Sequence, residues 1–244
     1  MGWWQDAGLD VLIDEAPRNW LAPVERPVER ASAPVVTPAP MAAQPARPAP
    51  APAAAPAAAA AAAFPDTLPA FREWLASSET LAMPLAARVA SAGDPASGLM
   101  VLVDMPDAGD VESGRLLSGD AGMLFDKMIA AIGRGRDSIY LAAMAPGRPA
   151  GGYVDKRSGA LFVELARHHV ALARPRALLL MGDQPSRAFL RQGFVEARGR
   201  AHDVALPGGA TAAIASFHPR TLLQHPEQKR RSWEDLQLLV KTLG

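Results

Sequence analysis

The stretch LMVLVDMPDAGDVESGRLLSGDAGMLFDKM, from Leu99 to Met128, runs from an apolar strand through carboxylates and small residues into an amphipathic helix. An α/β protein builds a ligand site this way, because the carboxyl end of a strand and the start of the next helix open onto one crevice. The turn carries Val103, Met105 and Asp107 where a loop of close backbone approach would carry glycine. Metal chemistry has little to draw on. Cysteine is absent, which removes disulfides, iron-sulfur clusters and thiolate zinc sites together. Five histidines remain, none with ligand spacing; His168 and His169 are adjacent, so on a helix their side chains diverge by about 100°. Neither a metal nor another cofactor is expected.

The elements that must position this loop can be read from periodicity. TLPAFREWLASS reads as a helix with Leu68, Phe71, Trp74 and Leu75 on its apolar face. LMVLV is a buried strand. Residues 121–133 read as a helix with Met123, Leu124, Met128, Ile129 and Ile132 inward and Gly133 as its stop. SIYLAAM is a second strand, GALFVELARHHVALAR a helix, RALLLMG a third strand and PSRAFLR a short helix. HDVALP and TAAIASF supply the last strands. SWEDLQLLVKTL closes the chain as a helix with Trp233, Leu236, Leu239 and Val240 along one face, Trp233 being assigned to the core. Strands alternating with helices predict a three-layer α/β/α sandwich around a mostly parallel central sheet.

Three segments are expected: residues 1–21, 22–63 and 64–244. The first holds Trp3, Trp4 and Trp20 in a piece too short to be a stable isolated helix. Those tryptophans either pack back on the main domain or dock on a protein partner. The second is Pro/Ala-rich, without side chains large enough to build a core, and reads as a semi-rigid spacer. The third is the α/β domain. Four of the 25 basic and six of the 25 acidic residues lie before Asp66, which leaves 21 and 19 for the domain. Such a balance lacks the electrostatic footprint of a dedicated nucleic-acid binder, although local basic patches remain open. No apolar run approaches the ~20 residues that span a bilayer. The start MGWWQDAGLD has no basic stretch, so a cytoplasmic protein without a membrane partner is expected.

An ordered series of pieces, MVLVDMP, SGRLLSGDAGMLFDKMIAAIG, SIYLAAM, PRALLLMG, the ARGR turn, FHPRTLL and HPEQKRRSWEDLQLL, resembles the family 4 uracil-DNA glycosylases, which normally carry an iron-sulfur cluster. The resemblance covers about Leu99 to Leu239, and the tryptophan-bearing start with its spacer is similar to alphaproteobacterial members. It implies a uracil-DNA-glycosylase-like fold and a set of site positions. The family's Gly-Glu-Ala/Gly-Pro-Gly loop, whose carboxylate lies by the scissile bond, corresponds to Val103, Asp104, Met105, Pro106 and Asp107. The segment that supplies a phenylalanine to stack on the flipped base corresponds to Gly114–Gly119, with Leu117 in the aromatic's place. Ala143 stands where an asparagine reads the pyrimidine edge. The His-Pro-Ser motif is kept in part as His218, Pro219 and Arg220, and the histidine's implied role is to stabilise the anionic leaving base. The cluster's first cysteines would fall in ASSETLAMPLAARV and a later one near Phe162, where no thiolate exists.

These departures carry the functional expectations. Leucine cannot supply aromatic stacking, worth about 1–3 kcal/mol per base, and alanine has no amide to discriminate uracil from cytosine. Shortening Glu to Asp withdraws the carboxylate, and a misplacement of about 1 Å can cost about a hundredfold. The favoured expectation is a catalytically degenerate, cluster-free member of the family, a binding or adaptor module in DNA repair or replication. The alternative is a cluster-free DNA glycosylase in which Asp104 positions water and His218 stabilises the leaving base, with Pro106, Leu117 and Ala143 lining the substrate pocket. A third reading is damage recognition through phosphate contacts from Arg115, Arg148, Arg198, Arg200 and Arg220. DNA, and a protein bound through Trp3, Trp4 and Trp20, are the expected partners.

Overall fold

The computed structural model describes residues 64–244; the tryptophan-bearing segment and the Pro/Ala spacer lie outside the described residues. The first described helix, α1 (Leu68–Ser77), buries Phe71. A two-residue strand β1 (Ala92–Gly93) leads through a short helical turn into β2 (Leu99–Val103). All five residues of β2 are buried, as expected for an apolar run covered on both faces of a parallel sheet. After β2 come a one-and-a-half-turn helix α2 (Ala108–Ser113) and the longer α3 (Gly119–Ala131). β3 (Tyr140–Ala143), α4 (Lys156–Ala173), β4 (Ala177–Met181), α5 (Asp183–Leu190) and α6 (Phe194–Ala197) follow. The chain ends with β5 (Ala201–Leu206), β6 (Gly209–Ser216), α7 (Pro219–Gln224) and α8 (Lys229–Leu243).

The strands form one six-stranded sheet in the order β1-β3-β2-β4-β6-β5. β3, β2, β4 and β6 are mutually parallel, and the outer strands β1 and β5 pair antiparallel. Leu99, Val101 and Val103 point into a core shared with Phe125 and Ile129 of α3 and Leu236 and Leu239 of α8. Met100 and Leu102 point to the other face, against Ala166 and Val170 of α4 and Phe189 of α5. The architecture is the expected three-layer α/β/α sandwich, and the carboxyl ends of β2, β3, β4 and β6 share one rim.

Two helical faces differ from the sequence reading. In α3 the inward side chain is Phe125, fully buried, whereas Met123 is 59% exposed. Phe125 and Ile129 sit at an i, i+4 spacing that Met123 does not share. In α8 the fully buried stripe includes Asp235 beside Leu236 and Leu239, and Trp233 is 40% exposed rather than in the core. Asp235 takes the inward position because Arg198 meets it there, Nη2 donating to Oδ1 and Oδ2 at 3.1 Å each. No described helix is long and apolar enough to cross a membrane.

Candidate functional site

The site is built at the exit of β2. Met144 N–H donates to Val103 O at 2.9 Å and Ala145 N–H to Asp104 O at 3.0 Å, so the parallel pairing of β2 with β3 continues one residue past the strand and fixes where Asp104 emerges. Asp110 then organises the turn. Its buried carboxylate accepts from the N–H of Asp107 (3.1 Å), Leu117 (3.1 Å) and Ser118 (2.7 Å) and from the Ser118 hydroxyl (2.7 Å). These bonds hold Leu117 at φ 50, a left-handed conformation that costs a non-glycine residue about 1–2 kcal/mol. Arg136 locks the same segment from below, donating to Leu116 O at 2.8 Å and Leu117 O at 2.5 Å. Gly122 in α3 passes so close that a Cβ there would overlap the Leu117 carbonyl, which explains a glycine inside that helix.

The opposite wall comes from the exit of β6. His218 caps α7 and is 5% exposed, its Nδ1 accepting from the Arg220 N–H at 3.1 Å. With Nδ1 occupied as an acceptor, the neutral ring carries its proton on Nε2. Burial pushes the imidazole below its ordinary range, and the charge of Asp104 opposes that shift only in part. From the first turn of α7 the Arg220 guanidinium reaches back across the rim, Nη1 pairing with Asp107 and Nη2 with Asp104 Oδ2 at 3.3 Å. Arg148 approaches from the far side, donating to Pro106 O at 3.1 Å and lying 3.7 Å from Asp107 Oδ1. Two carboxylates therefore sit between two guanidinium groups, and Asp104 Oδ1 is buried with no partner among the described residues.

The sequence-derived residues fall into groups. Arg220 brings Asp104 and Asp107 together beside His218, and Arg148 lies against Asp107. Pro106 and Leu117 are buried in the frame of the loop rather than presented on an open surface. A groove of about 470 Å³ opens beside Asp104, walled by Met105, Met144, Tyr153 and Phe162; Pro106, Leu117 and Ala143 do not line it. Ala143 instead borders a smaller cavity near the β1 edge. Arg115 and Arg200 are exposed, the latter donating to Gln192 at 2.8 Å. Arg198 is committed inside the fold: its side chain is 15% exposed, bonded to Asp235 and to Arg231 O and stacked over Phe217. Burial raises Asp235 above the usual carboxylate range, against the pull of Arg198. Sequence reasoning passed over Asp110, and named Arg148 only as a phosphate contact. The Asp107-x-x-Asp110 spacing at a helix start was the available signal for Asp110, whereas nothing local tied Arg148 to the Pro106 carbonyl it binds, 42 residues away.

The family model of the uracil DNA glycosylase superfamily matches residues 90–237, from just before β1 into α8. The chain belongs to the uracil DNA glycosylase superfamily. It is also similar to a type-4 uracil-DNA glycosylase of Pyrobaculum aerophilum, 19% identical over 151 residues that cover 59% of this chain and 77% of that protein. In a superfamily member, the β2 exit and the His218 turn are the positions that the resemblance assigns to the carboxylate and the histidine.

The iron-sulfur cluster of family 4 glycosylases finds no match in the residues present here. Leu81 and Met83 of the compared segment, and Phe162, belong to an apolar cluster with Phe71, Ala145 and Leu165. These side chains supply no thiolate, so the segment holds its shape by apolar packing. Among the described residues no group of histidines and carboxylates has metal-binding geometry either.

Proposed function

We propose that this superfamily member is a DNA-binding or adaptor module of DNA repair or replication that has given up base excision. The observation that carries this reading is the Arg220 guanidinium lying across Asp104 and Asp107. A carboxylate that positions water for attack on a glycosidic carbon needs its lone pairs free and must meet a developing cationic sugar. Arg220 occupies one oxygen of Asp104 and sets a positive charge beside the carboxylate, opposing a cationic sugar that would form there. Leu117, buried and bonded into the turn, offers neither an aromatic face nor a free surface, and Ala143 offers no amide. The domain's nearly balanced charge suits weak, salt-sensitive DNA contacts through Arg115 and Arg200, or a partner held through Trp3, Trp4 and Trp20.

One observation favours the alternative, a cluster-free glycosylase. His218 has the tautomer needed to donate from Nε2 to a leaving base, and Asp104 Oδ1 has no competing partner. The experiment that separates the readings is single-turnover assay of the full chain, in excess over single-stranded DNA containing uracil, hypoxanthine or xanthine. The expected result is no abasic site from the wild type. Abasic product that disappears in His218→Ala establishes the glycosylase and overturns the degenerate reading. Restored cleavage in Arg220→Ser with a silent wild type assigns the block to Arg220.

A further inference from the structure

The groove of about 470 Å³ on the α4 side of the Asp104 turn has no occupant assigned to it so far, and its volume falls within the roughly 300–1,000 Å³ typical of small-molecule sites. Met105 lines it from the exit of β2, Met144 from the exit of β3, Tyr153 from the loop before α4, Phe162 and Val163 from α4, and Gln184 from the start of α5. β2 and β4 are neighbours in the sheet, yet the chain leaves β2 for α3 on one face and β4 for α5 on the other. The crevice opened by that divergence is where α/β sheets take their ligands. Leu117, Ala143 and His218, which the resemblance assigns to the excised base, do not line this groove. Phe162 stands in it at a position compared with a cluster ligand.

The lining favours a flat ring. Two thioethers and two aromatic side chains make up much of it, and such groups prefer a π system as neighbour over an aliphatic chain. Tyr153 is 77% exposed, so most of its ring is uncovered. Gly151 and Gly152 precede it at φ 67 and φ 68, left-handed conformations that turn the chain at the groove mouth. Arg148 braces this turn against the opposite wall: it donates to Pro106 O at 3.1 Å, and a Cβ at Gly152 would lie 2.7 Å from its Nη2. The two carboxylates bordering the groove are already engaged, Asp104 by Arg220 and Asp155 by the Arg157 and Ser158 N–H groups at the start of α4. The other polar side chains of the lining are Tyr153, Lys156 and Gln184, and all three are exposed, within reach of a ligand.

We propose that this groove takes an unpaired nucleobase, its ring stacked on Tyr153 and lying against the Met105 and Met144 thioethers, with Lys156 on the adjoining phosphate. Stacking of this kind accepts any base, because every base has a π face. Gln184 offers the base edge a donor and an acceptor; a purely aliphatic ligand would use neither Gln184 nor Lys156. The base comes either in single-stranded DNA or as a free nucleotide, since both present the same ring and phosphate. The inference rests on the DNA-binding part of the reading above, which favours a base over other flat rings, and it needs no excision chemistry.

The test uses the full chain with isotope-labelled methionine methyl groups. It is titrated with a single-stranded DNA decamer, with the same decamer made wholly abasic, and with deoxyadenosine monophosphate. A base against the thioethers moves the Met105 and Met144 methyl signals by its ring current, and Met123, exposed on α3, serves as the internal control. Saturable shifts of both signals are expected with the decamer and none with its abasic form. Affinity should fall about tenfold in Tyr153→Ala, the loss of one base–aromatic stack, and stay near wild type in Tyr153→Phe. Shifts with the decamer assign the base to single-stranded DNA. Shifts with the mononucleotide, from a chain that does not bind the decamer, assign it to free nucleotide and overturn the DNA-binding reading alone. A decamer that binds with both methyls unmoved leaves DNA binding standing and overturns the groove. Signals unmoved by either probe, or affinity unchanged in Tyr153→Ala, overturn it as well.

Discussion

Asp110 and Arg220 occupy the same rim and do opposite things. Asp110 is 3% exposed and accepts four hydrogen bonds, three of them from backbone groups that would otherwise be orphaned. Replacing it with alanine leaves those donors buried and unpaired, at about 1–3 kcal/mol for each that water cannot reach. Asp110→Ala is expected to lose about 3 kcal/mol of stability by urea denaturation, and Asp110→Asn about half of that, since one amide oxygen still accepts. Arg220 is 40% exposed, so its ion pairs are screened by solvent and contribute little to stability. Arg220→Ser should therefore leave the urea midpoint nearly unchanged while altering the rim's chemistry. Asp110 was legible as a helix-start residue from its spacing. That Arg220 would bridge Asp104 and Asp107, more than a hundred residues away, was not, because the bridge exists only once β2 and β6 are brought to one edge of the sheet.

At the scale of elements, the strands were the most legible part of the chain. β2 and β4 are runs of five buried apolar residues, and such runs have no other place in an α/β fold than the sheet centre. The longer helices were legible but not their rotation, and the short α2, α6 and α7 were not read at all, being too brief to show a helical period. Met123 and Phe125 are both large and apolar, and periodicity alone assigned Met123 to the core; contact with β2 selects Phe125 instead. Phe125→Ala is expected to cost about 3–5 kcal/mol and Met123→Ala less than about 0.5 kcal/mol, measured by urea unfolding. Equal losses would mean that α3 is rotated from this position. In α8, Asp235 displaces Trp233 from the inner stripe, since only pairing with Arg198 makes a fully buried carboxylate tolerable there.

For the molecule as a whole, pH dependence follows from two buried histidines. Burial holds His169 down at about 4, below the ordinary 6.5 of the unfolded chain, so the unfolded state binds the extra proton first. Stability is complete above about pH 6.5, declines as the pH falls, and levels off below about 4, a loss on the order of 3 kcal/mol. His218, also lowered by burial, adds in the same direction. Asp235, raised by burial, opposes it, because its neutral form is the one the fold favours. Urea midpoints at pH 7 and pH 5 for the wild type and His169→Gln isolate the His169 part: the variant should show the shallower fall, and parallel curves would remove His169 from the account. By itself the sequence determined the α/β class, every strand but the two-residue β1, and the exclusion of thiolate-held clusters, because these depend on local periodicity and on residue types present or absent. Only the tertiary structure decided the bridging of Asp104 and Asp107 by Arg220, the inward turn of Asp235 and the groove between Met105 and Tyr153. Each depends on groups far apart in the chain meeting at one point, and such meetings are set by packing of the whole sheet and its layers rather than by any window of residues.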